Sequence, residues 1–414
     1  MPPGKRYLPF ASMTRSAPRA SRDAPHVLIV GGGGTGGALA HDLTLRGIRV
    51  TLVERGEFTS GTTGRHHGLL HSGARYAVND RESAIECIEE NAILRAICPG
   101  SFEENDGLFV AITDEDMEYY ADFVEGCKAC GIPIEELTPQ EALRMEPLLN
   151  PELKAAVRVP DATMDAMRMP LRFFATAKHG GATLYNFMEV LDLLVESGAV
   201  TGATVRDQVT GAEGDLHADL VVNATGPWSE KIARLAGVDV PISPSPGVML
   251  ALYGRLCNMV INRMHRSGDG DIVVPQRALS VVGTSSWTVE DPDELDVPED
   301  HVTRMRAEGA KLIPAVAQAG FRAAWSAARP LIGAMEADSG RELSRTFKTI
   351  DHADDGVEGF VTITGGKATT LRGMAELCGD VISRKLGVDR PSTTRTVTTL
   401  PHTAFYAETE RRLA

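Results

Sequence analysis

Three glycines and one glutamate near the start of the chain have the types and spacing that bind phosphate and sugar. Gly31, Gly33 and Gly36 follow an apolar run that begins at His26, and Glu54 ends a second apolar run. The first glycine permits a tight turn, the second lets the backbone approach a pyrophosphate, and the third lets a helix pack closely on a strand. The helix then offers free N–H groups to the phosphates. The pattern predicts a dinucleotide site, and the charge of Glu54 favours ribose hydroxyls over a 2′-phosphate.

Two later glycine turns have related chemistry. Residues 218–228 form a buried strand that runs into Ala224-Thr-Gly226, a second close backbone approach of the kind that a long cofactor needs. Residues 359–364 form another short buried strand, followed by Gly365-Gly-Lys367 and a helix that Gly387 closes. A strand, a double glycine and a helix start predict a site for an anion or a ring edge.

The segment 59–76 is too glycine-rich for an ordinary helix and too patterned for a linker. It holds His66, His67, His71, Arg75 and Tyr76. His67 and His71 have the spacing of metal ligands, but no acid or cysteine stands nearby and glycines interrupt the helix. No metal site is predicted.

Composition limits the classes of protein. The chain has 414 residues, 43% of them hydrophobic, which suggests two domains, and its net charge of −14 argues against a nucleic-acid partner. Its apolar runs fall short of the ~20 residues that a membrane span needs. Six scattered cysteines favour a reducing compartment. The pair Cys127 and Cys130 is interpreted as helix packing rather than chemistry.

The elements that position these residues predict an α/β protein. Its Rossmann-type cofactor-binding domain is discontinuous, and an antiparallel-sheet substrate domain caps it. We expect a strand over 107–112, a helix over 115–130, short strands over 182–223 and antiparallel strands over 246–285. The acidic stretch 286–300 is expected to be solvated surface, and the polar tail after Pro391 to pack loosely. The predicted domains are a flexible N-terminal tail (1–25), the cofactor domain (26–100, 150–237, 326–390), the cap (101–149, 238–325) and a C-terminal tail (391–414).

Longer stretches resemble one enzyme family. The segment His67-Gly-Leu-Leu-His-Ser-Gly-Ala-Arg-Tyr-Ala-Val78 is unusual enough to be specific, and residues 31–36, 222–228, 329–331 and 363–367 match as well. Over about residues 26–400 the chain resembles the FAD-dependent glycerol-3-phosphate dehydrogenases of the D-amino-acid-oxidase-like superfamily. Within this family it is most similar to the large (A) subunits of the anaerobic type.

The resemblance implies FAD as cofactor and sn-glycerol 3-phosphate as substrate, oxidised to dihydroxyacetone phosphate by hydride transfer to flavin N5. A quinone pool would take the electrons, directly or through partner subunits. Arg75, Tyr76, Arg329 and Lys367 match the substrate positions, where the arginine fork suits a phosphate. The expected FAD contacts are Gly31, Gly33, Gly34, Thr35, Gly36, Glu54, Arg55, Thr62, Thr63, Gly68, Leu69, Leu70, Gly226, Gly365, Gly366, Lys367, Ala368 and Thr369.

The group that takes the hydroxyl proton is left open. Aerobic relatives carry a histidine in the strand near residue 249, where this chain has Met249. His71, or a water held by arginine or lysine, is then the expected base. Without the resemblance, Arg75 would be interpreted as a structural ion pair.

Two other functions fit the same residue types. A sibling enzyme would oxidise a 2-hydroxy acid or an amino acid, whose carboxylate also needs an arginine. A non-catalytic flavin-binding subunit would only relay electrons. Large subunits of the anaerobic type usually continue into a cysteine-rich domain thought to carry an iron–sulfur cluster, so a shortened chain or another electron route is expected. The expected location is cytoplasmic, with peripheral contact at the inner face of the cell membrane as the alternative.

Overall fold

The computed structural model describes residues 20–21, 23–266, 268–333 and 347–406. Most of the predicted N-terminal tail and the last eight residues of the predicted C-terminal tail lie outside these ranges. In the described chain, no helix is long and apolar enough to cross a bilayer.

A six-stranded sheet carries the dinucleotide motif. Its strands follow the spatial order Phe347–Asp351, Phe360–Gly365, Leu220–Asn223, His26–Val30, Arg49–Val53 and Thr183–Tyr185. All neighbours are parallel except the first pair, which is antiparallel. Distant stretches of the chain supply the strands, so the predicted Rossmann-type, discontinuous α/β domain is confirmed.

Both faces of this sheet are covered, which explains why its central strand is apolar throughout. Val27 and Ile29 pack on one face against the helices Gly34–Leu45, Arg168–His179 and Leu371–Lys385. Leu28 and Val30 pack on the other face, in a cluster with residues of the helix Ser229–Leu235 and of a three-stranded sheet. That sheet comprises Met188–Glu196, Ala199–Asp207 and Glu213–His217.

An eight-stranded sheet forms the second layer. Its order is Phe321–Ile332, Ile242–Tyr253, Leu279–Gly283, Ile272–Gln276, Val260–Arg263, Gly107–Ala111, Ala155–Val159 and Glu135–Leu137. It is antiparallel except where Val260–Arg263 runs parallel to Gly107–Ala111. The predicted antiparallel sheet is therefore present. The domain boundaries stay predictions, and Ala155–Val159, inside the predicted cofactor segment 150–237, pairs in this second sheet.

The remaining elements connect these layers. A small sheet joins Leu69–Leu70, Ala162–Met164 and Phe102–Glu103. The helix predicted over 115–130 runs over Asp114–Ala129, and the hydroxyl of Thr113 caps it by accepting the N–H of Asp116. The other helices are Thr62–Arg65, Arg81–Ile97, Pro139–Met145 and Glu299–Leu312.

Up to residue 406, the tail after Pro391 packs against the rest of the chain, and the prediction of loose packing is wrong for this part. Thr399 is buried, and its side chain and carbonyl accept hydrogen bonds from the Arg172 guanidinium at 3.0 and 2.8 Å. Farther along, the Phe405 ring meets Phe58 edge-on at 5.6 Å between centroids. The polar composition misled the prediction because threonine hydroxyls here satisfy a buried arginine instead of facing water.

His41 is a buried imidazole on the helix that follows the glycine turn. It is 1% exposed, packs 5.7 Å from the Phe173 ring, and its Nε2 has no hydrogen-bond partner among the described residues. Burial lowers the pKa of His41 to about 4.

We expect the unfolding free energy to drop by about 2 kcal/mol between pH 7 and pH 5 through His41 alone. In this window the unfolded imidazole takes up a proton while the folded one stays neutral, so stability present above pH 6.5 is lost as pH falls. Urea unfolding at both pH values measures the effect. His41→Leu should remove this part of the pH dependence, and equal pH dependence in both proteins would contradict the assignment.

Candidate functional site

One elongated cavity of about 890 Å³ lies at the carboxyl ends of the parallel strands, where α/β sheets bind ligands. It reaches from the turn at Gly31 to the turn at Gly365 and continues to the eight-stranded sheet at Arg329. The glycine turns at the two ends of the chain are therefore walls of one site.

The first turn leaves no room for side chains at two of its glycines. Gly31 has a φ of +111°, and a Cβ there would lie 2.6 Å from the carbonyl oxygen of Ala224. A Cβ on Gly36 would lie 2.0 Å from the Gly31 oxygen. Gly33 is different, because its added Cβ would lie 3.3 Å from Thr63 Oγ1, on the wall of the cavity. The turn presents the start of the helix Gly34–Leu45 to the cavity.

The acidic residue after the second strand is held by backbone groups. Glu54 accepts hydrogen bonds from the N–H groups of Gly32 at 2.7 Å and Gly56 at 2.9 Å. A carboxylate can accept about four hydrogen bonds, so Glu54 keeps capacity for ribose hydroxyls. The Thr63 hydroxyl likewise accepts the Gly34 N–H at 2.9 Å.

The second glycine turn contacts the histidine-rich segment. Gly365 and Gly366 have φ values of +87° and +73°. Behind this turn, Thr369 Oγ1 accepts the N–H of His71 at 3.0 Å. The Lys367 ammonium donates to Ser83 Oγ at 2.9 Å and lies 5.0 Å from the centre of the Tyr76 ring. Segments almost 300 residues apart in sequence thus form one wall.

Four rings line that wall in sequence order. Centroids are 6.1 Å apart for His66 and His67, 6.2 Å for His67 and His71, and 5.6 Å for His71 and Tyr76. His66 Nδ1 accepts the Gly68 N–H at 2.9 Å, and burial lowers the pKa of His66 to about 4. His66 is therefore neutral at physiological pH.

Arg75 and Arg329 meet in a small polar cavity of about 30 Å³ beside the rings of His67 and His71. The Arg75 guanidinium pairs with both carboxylate oxygens of Asp271, at 2.8 and 2.7 Å, and both side chains are buried. This is the structural ion pair that the sequence analysis expects for Arg75 when the family resemblance is left aside. Its role toward a phosphate stays a prediction.

Arg329 is fixed by oxygen atoms of neighbouring segments. Its Nη2 donates to Pro246 O at 3.0 Å and Ser286 Oγ at 2.9 Å, and its Nε donates to Ser245 O at 3.1 Å. These bonds hold the guanidinium where the large and the small cavity meet. A planar cation fixed in this way is preorganised for an oxyanion.

Most residues predicted for the site line the large cavity. They are Gly31, Gly33, Gly34, Thr35, Glu54, Arg55, Thr62, Thr63, Leu69, His71, Tyr76, Gly226, Arg329, Gly365, Gly366, Lys367, Ala368 and Thr369. Gly36, Gly68 and Leu70 are not in this lining, and Arg75 lines only the small cavity. Gly36 has the packing role predicted for it, since its hydrogen faces the Gly31 carbonyl.

Sequence reasoning missed the wall at the Glu54 end. It is formed mainly by apolar residues with the charged Lys231 and Asp293, namely Val190, Leu191, Trp228, Lys231, Ile232, Leu235, Pro292, Asp293 and Leu295. Of these residues, Trp228 comes shortly after the Ala224-Thr-Gly226 turn that the sequence analysis singled out. The others lie on elements without a recognisable motif. The acidic loop, predicted as plain solvated surface, supplies part of this wall, and that prediction is wrong on this point.

The cysteine pair is buried, in agreement with its interpretation as packing. Cys127 and Cys130 are 0% and 5% exposed, and burial raises the pKa of the Cys127 thiol to about 12. Within the described ranges, no group of three histidine, cysteine or acidic residues could hold a metal ion.

Comparisons with known proteins agree with this geometry. The family model described as DAO, FAD dependent oxidoreductase, matches residues 26–380. The A subunit of the anaerobic glycerol-3-phosphate dehydrogenase of Escherichia coli (strain K12) is 44% identical over 372 residues, which span 89% of this chain and 68% of that protein. The A1 subunit of the anaerobic glycerol-3-phosphate dehydrogenase of Haloferax volcanii is 43% identical, over 89% of this chain and 65% of that protein.

Solved structures show the same fold. The glycerol-3-phosphate dehydrogenase from Bacillus halodurans complexed with FAD has a TM-score of 0.70 at 24% identity, covering 95% of this chain and 73% of that one. Glycine oxidase from Bacillus cereus has a TM-score of 0.71 at 22% identity, covering 87% and 98%.

Gly33→Ala should leave the fold intact and weaken dinucleotide binding by roughly tenfold, the cost of losing one or two charge-assisted contacts. The added methyl group touches only Thr63 but occupies the phosphate cradle. Flavin absorbance per chain after gel filtration measures the effect. The control is Gly214→Ala, whose Cβ meets nothing within 4 Å on an outer strand. Equal flavin content in both variants would show that this turn is not part of the binding site.

Proposed function

The chain belongs to the FAD dependent oxidoreductase family, and on that premise we propose that it oxidises sn-glycerol 3-phosphate to dihydroxyacetone phosphate. The observation that carries the proposal is the fixed Arg329 guanidinium at the junction of the two cavities, in the small cavity that His67 and His71 also line. The Escherichia coli relative, named for its glycerol-3-phosphate dehydrogenase and 44% identical across 89% of this chain, supports the choice of substrate.

The residues present fit FAD. The glycine turn at Gly31 and the start of the following helix would hold the pyrophosphate, and Glu54 the ribose. The turn at Gly365 and the rings beside it form one wall of the cavity, and this wall would hold the ring system of the flavin. When bound, the flavin supplies an acceptor for the two electrons and the hydrogen that leave the substrate carbon.

In this proposal, positively charged side chains bind the substrate. Arg329 would bind the phosphate by its planar fork, and Arg75, oriented by Asp271, would lie beside it in the same small cavity. Lys367 and Tyr76 at the adjoining wall would orient the hydroxyl group to be oxidised. The side chains are held before substrate arrives, which lowers the ordering cost of binding.

The hydroxyl proton needs an acceptor inside the cavity. We assign this role to His71, because it lines both cavities and its backbone N–H is held by Thr369, which follows the Gly365 turn. A water held by Arg329 or Lys367 is the alternative. Met249, at the position where aerobic relatives carry histidine, is 2% exposed and lines neither cavity.

The electrons then pass to a quinone, directly or through partner subunits, at the cytoplasmic side of the membrane. The Escherichia coli relative is named as one subunit of its enzyme, which supports partner subunits here. This part of the proposal concerns the reoxidation half-reaction, and the residues described above serve only the oxidation of the substrate.

Anaerobic mixing of the flavin-loaded protein with glycerol 3-phosphate, 2-hydroxyglutarate and glycine tests the proposal. We expect loss of flavin absorbance with the phosphate ester alone, because relatives 43–44% identical to this chain are named as glycerol-3-phosphate dehydrogenases. Bleaching by a carboxylate substrate instead would favour the sibling enzyme. No bleaching by any of them would favour an electron-relay role.

Arg329→Lys should raise KM for glycerol 3-phosphate by roughly tenfold to a hundredfold with unchanged FAD content, because lysine keeps the charge and loses the fork. Steady-state kinetics with an artificial acceptor measures KM. The matched control is Arg322→Lys on the same strand, where the arginine is exposed and lies 5.9 Å from the Tyr253 ring. Loss of FAD from Arg329→Lys would show that this residue serves the cofactor instead.

A further inference from the structure

A loop that follows a strand of the eight-stranded sheet closes the Glu54 end of the large cavity. We call residues 287–297 the strap; it connects the strand Leu279–Gly283 to the helix Glu299–Leu312. Its root is tied to the eight-stranded sheet by Val289 N–H, which donates to Pro244 O at 3.1 Å. Its middle residues Pro292, Asp293 and Leu295 belong to the cavity wall.

The strap is held by one carboxylate with three donors. Asp293 Oδ1 accepts from Arg55 Nη2 at 2.5 Å and from the Trp228 indole N–H at 2.7 Å, and its Oδ2 accepts from Lys231 Nζ at 2.7 Å. These interactions hold the pKa of Asp293 far below its usual range, although its burial opposes this shift. The carboxylate is therefore charged at neutral pH.

A second carboxylate, that of Asp291, holds Asp293 in position. Asp291 pairs with Lys231 at 2.7 and 2.9 Å, and its Oδ1 also accepts the N–H of Asp293 at 2.8 Å. The Arg55 guanidinium in turn lies 4.7 Å from the centre of the Trp228 ring. The five side chains form a closed network rather than a single surface pair.

The three donors all come from the walls of the dinucleotide site. Arg55 directly follows Glu54, Trp228 follows Gly226, and Lys231 stands on the helix Ser229–Leu235. The apolar lining between them and the strap is formed by Ile232, Leu235 and Leu295. Contacts of the strap therefore join a loop of the eight-stranded sheet to the walls of the dinucleotide site.

We propose that Asp293 is a cofactor-retaining residue: it latches the strap over the nucleotide half of FAD and sets how fast FAD leaves the protein. About 40% of the Asp293 and Lys231 side chains is exposed, so the latch is open to salt. A half-exposed ionic contact can break without disturbing the apolar core. This inference concerns FAD alone and does not depend on the identity of the substrate.

The test is the rate of FAD release from the flavin-loaded protein, followed as flavin fluorescence after dilution at low and high salt. In the wild-type chain, release should speed up severalfold from low to high salt. Asp293→Asn should release FAD about tenfold faster at low salt, a change of about 1.4 kcal/mol, and should lose most of the salt dependence. Trp228→Phe removes one hydrogen-bond donor and keeps an aromatic ring. Its rate of FAD release at low salt should lie between the rates of the wild-type chain and of Asp293→Asn.

Glu294→Gln is the matched control, since Glu294 is an exposed acid on the same strap. It should release FAD at the wild-type rate. Equal release from Asp293→Asn and wild type, or equally fast release from Glu294→Gln, would overturn the latch. Should Asp293→Asn not fold, salt-independent release from the wild-type chain would overturn it equally. A chain that retains FAD as described but is not bleached by glycerol 3-phosphate would refute only the proposed substrate.

Discussion

The site depends on one close approach of backbone to backbone, between Gly31 and the turn at Ala224. Any side chain at Gly31 would strike the Ala224 carbonyl, and any at Gly36 would strike the Gly31 carbonyl. Since only glycine fits at these two positions, the parallel strands His26–Val30 and Leu220–Asn223 can end side by side. The helix Gly34–Leu45 then begins directly at the edge of the sheet.

Charge in the cavity is held in place by neighbours rather than left mobile. Asp271 orients Arg75, while carbonyl and hydroxyl oxygens orient Arg329. At the far end, Asp293 gathers Arg55, Trp228 and Lys231. Each group has a fixed geometry before a ligand binds, so binding costs little ordering. The two ends differ in burial: Arg75 and Asp271 are enclosed, whereas the Asp293 network is half exposed.

The two sheets contribute different things to the cavity. The six-stranded sheet supplies glycine turns, whose backbone groups are placed by the ends of parallel strands. The eight-stranded sheet carries Arg329 on its strand Phe321–Ile332. Asp271 directly precedes its strand Ile272–Gln276, and the strap follows its strand Leu279–Gly283. One loop connects them functionally, since Ser286, which accepts from Arg329, lies seven residues before Asp293. The Arg329 end and the Glu54 end of the cavity are thus contacted by the same segment of chain.

The sequence by itself determined the dinucleotide turn and the α/β class, because glycine spacing and buried apolar runs are local and have few structural solutions. Arg75 and Arg329 were indicated by the family resemblance, and their role toward the substrate stays a prediction. Only the tertiary structure decided that Asp271 pairs with Arg75, that the acidic strap walls the cavity and that Thr399 satisfies Arg172. Such partners lie about 65 to 240 residues apart, and no periodicity links them. The way in which the sheets stack decides which charged side chains form pairs. This is a long-range property that local sequence patterns do not encode.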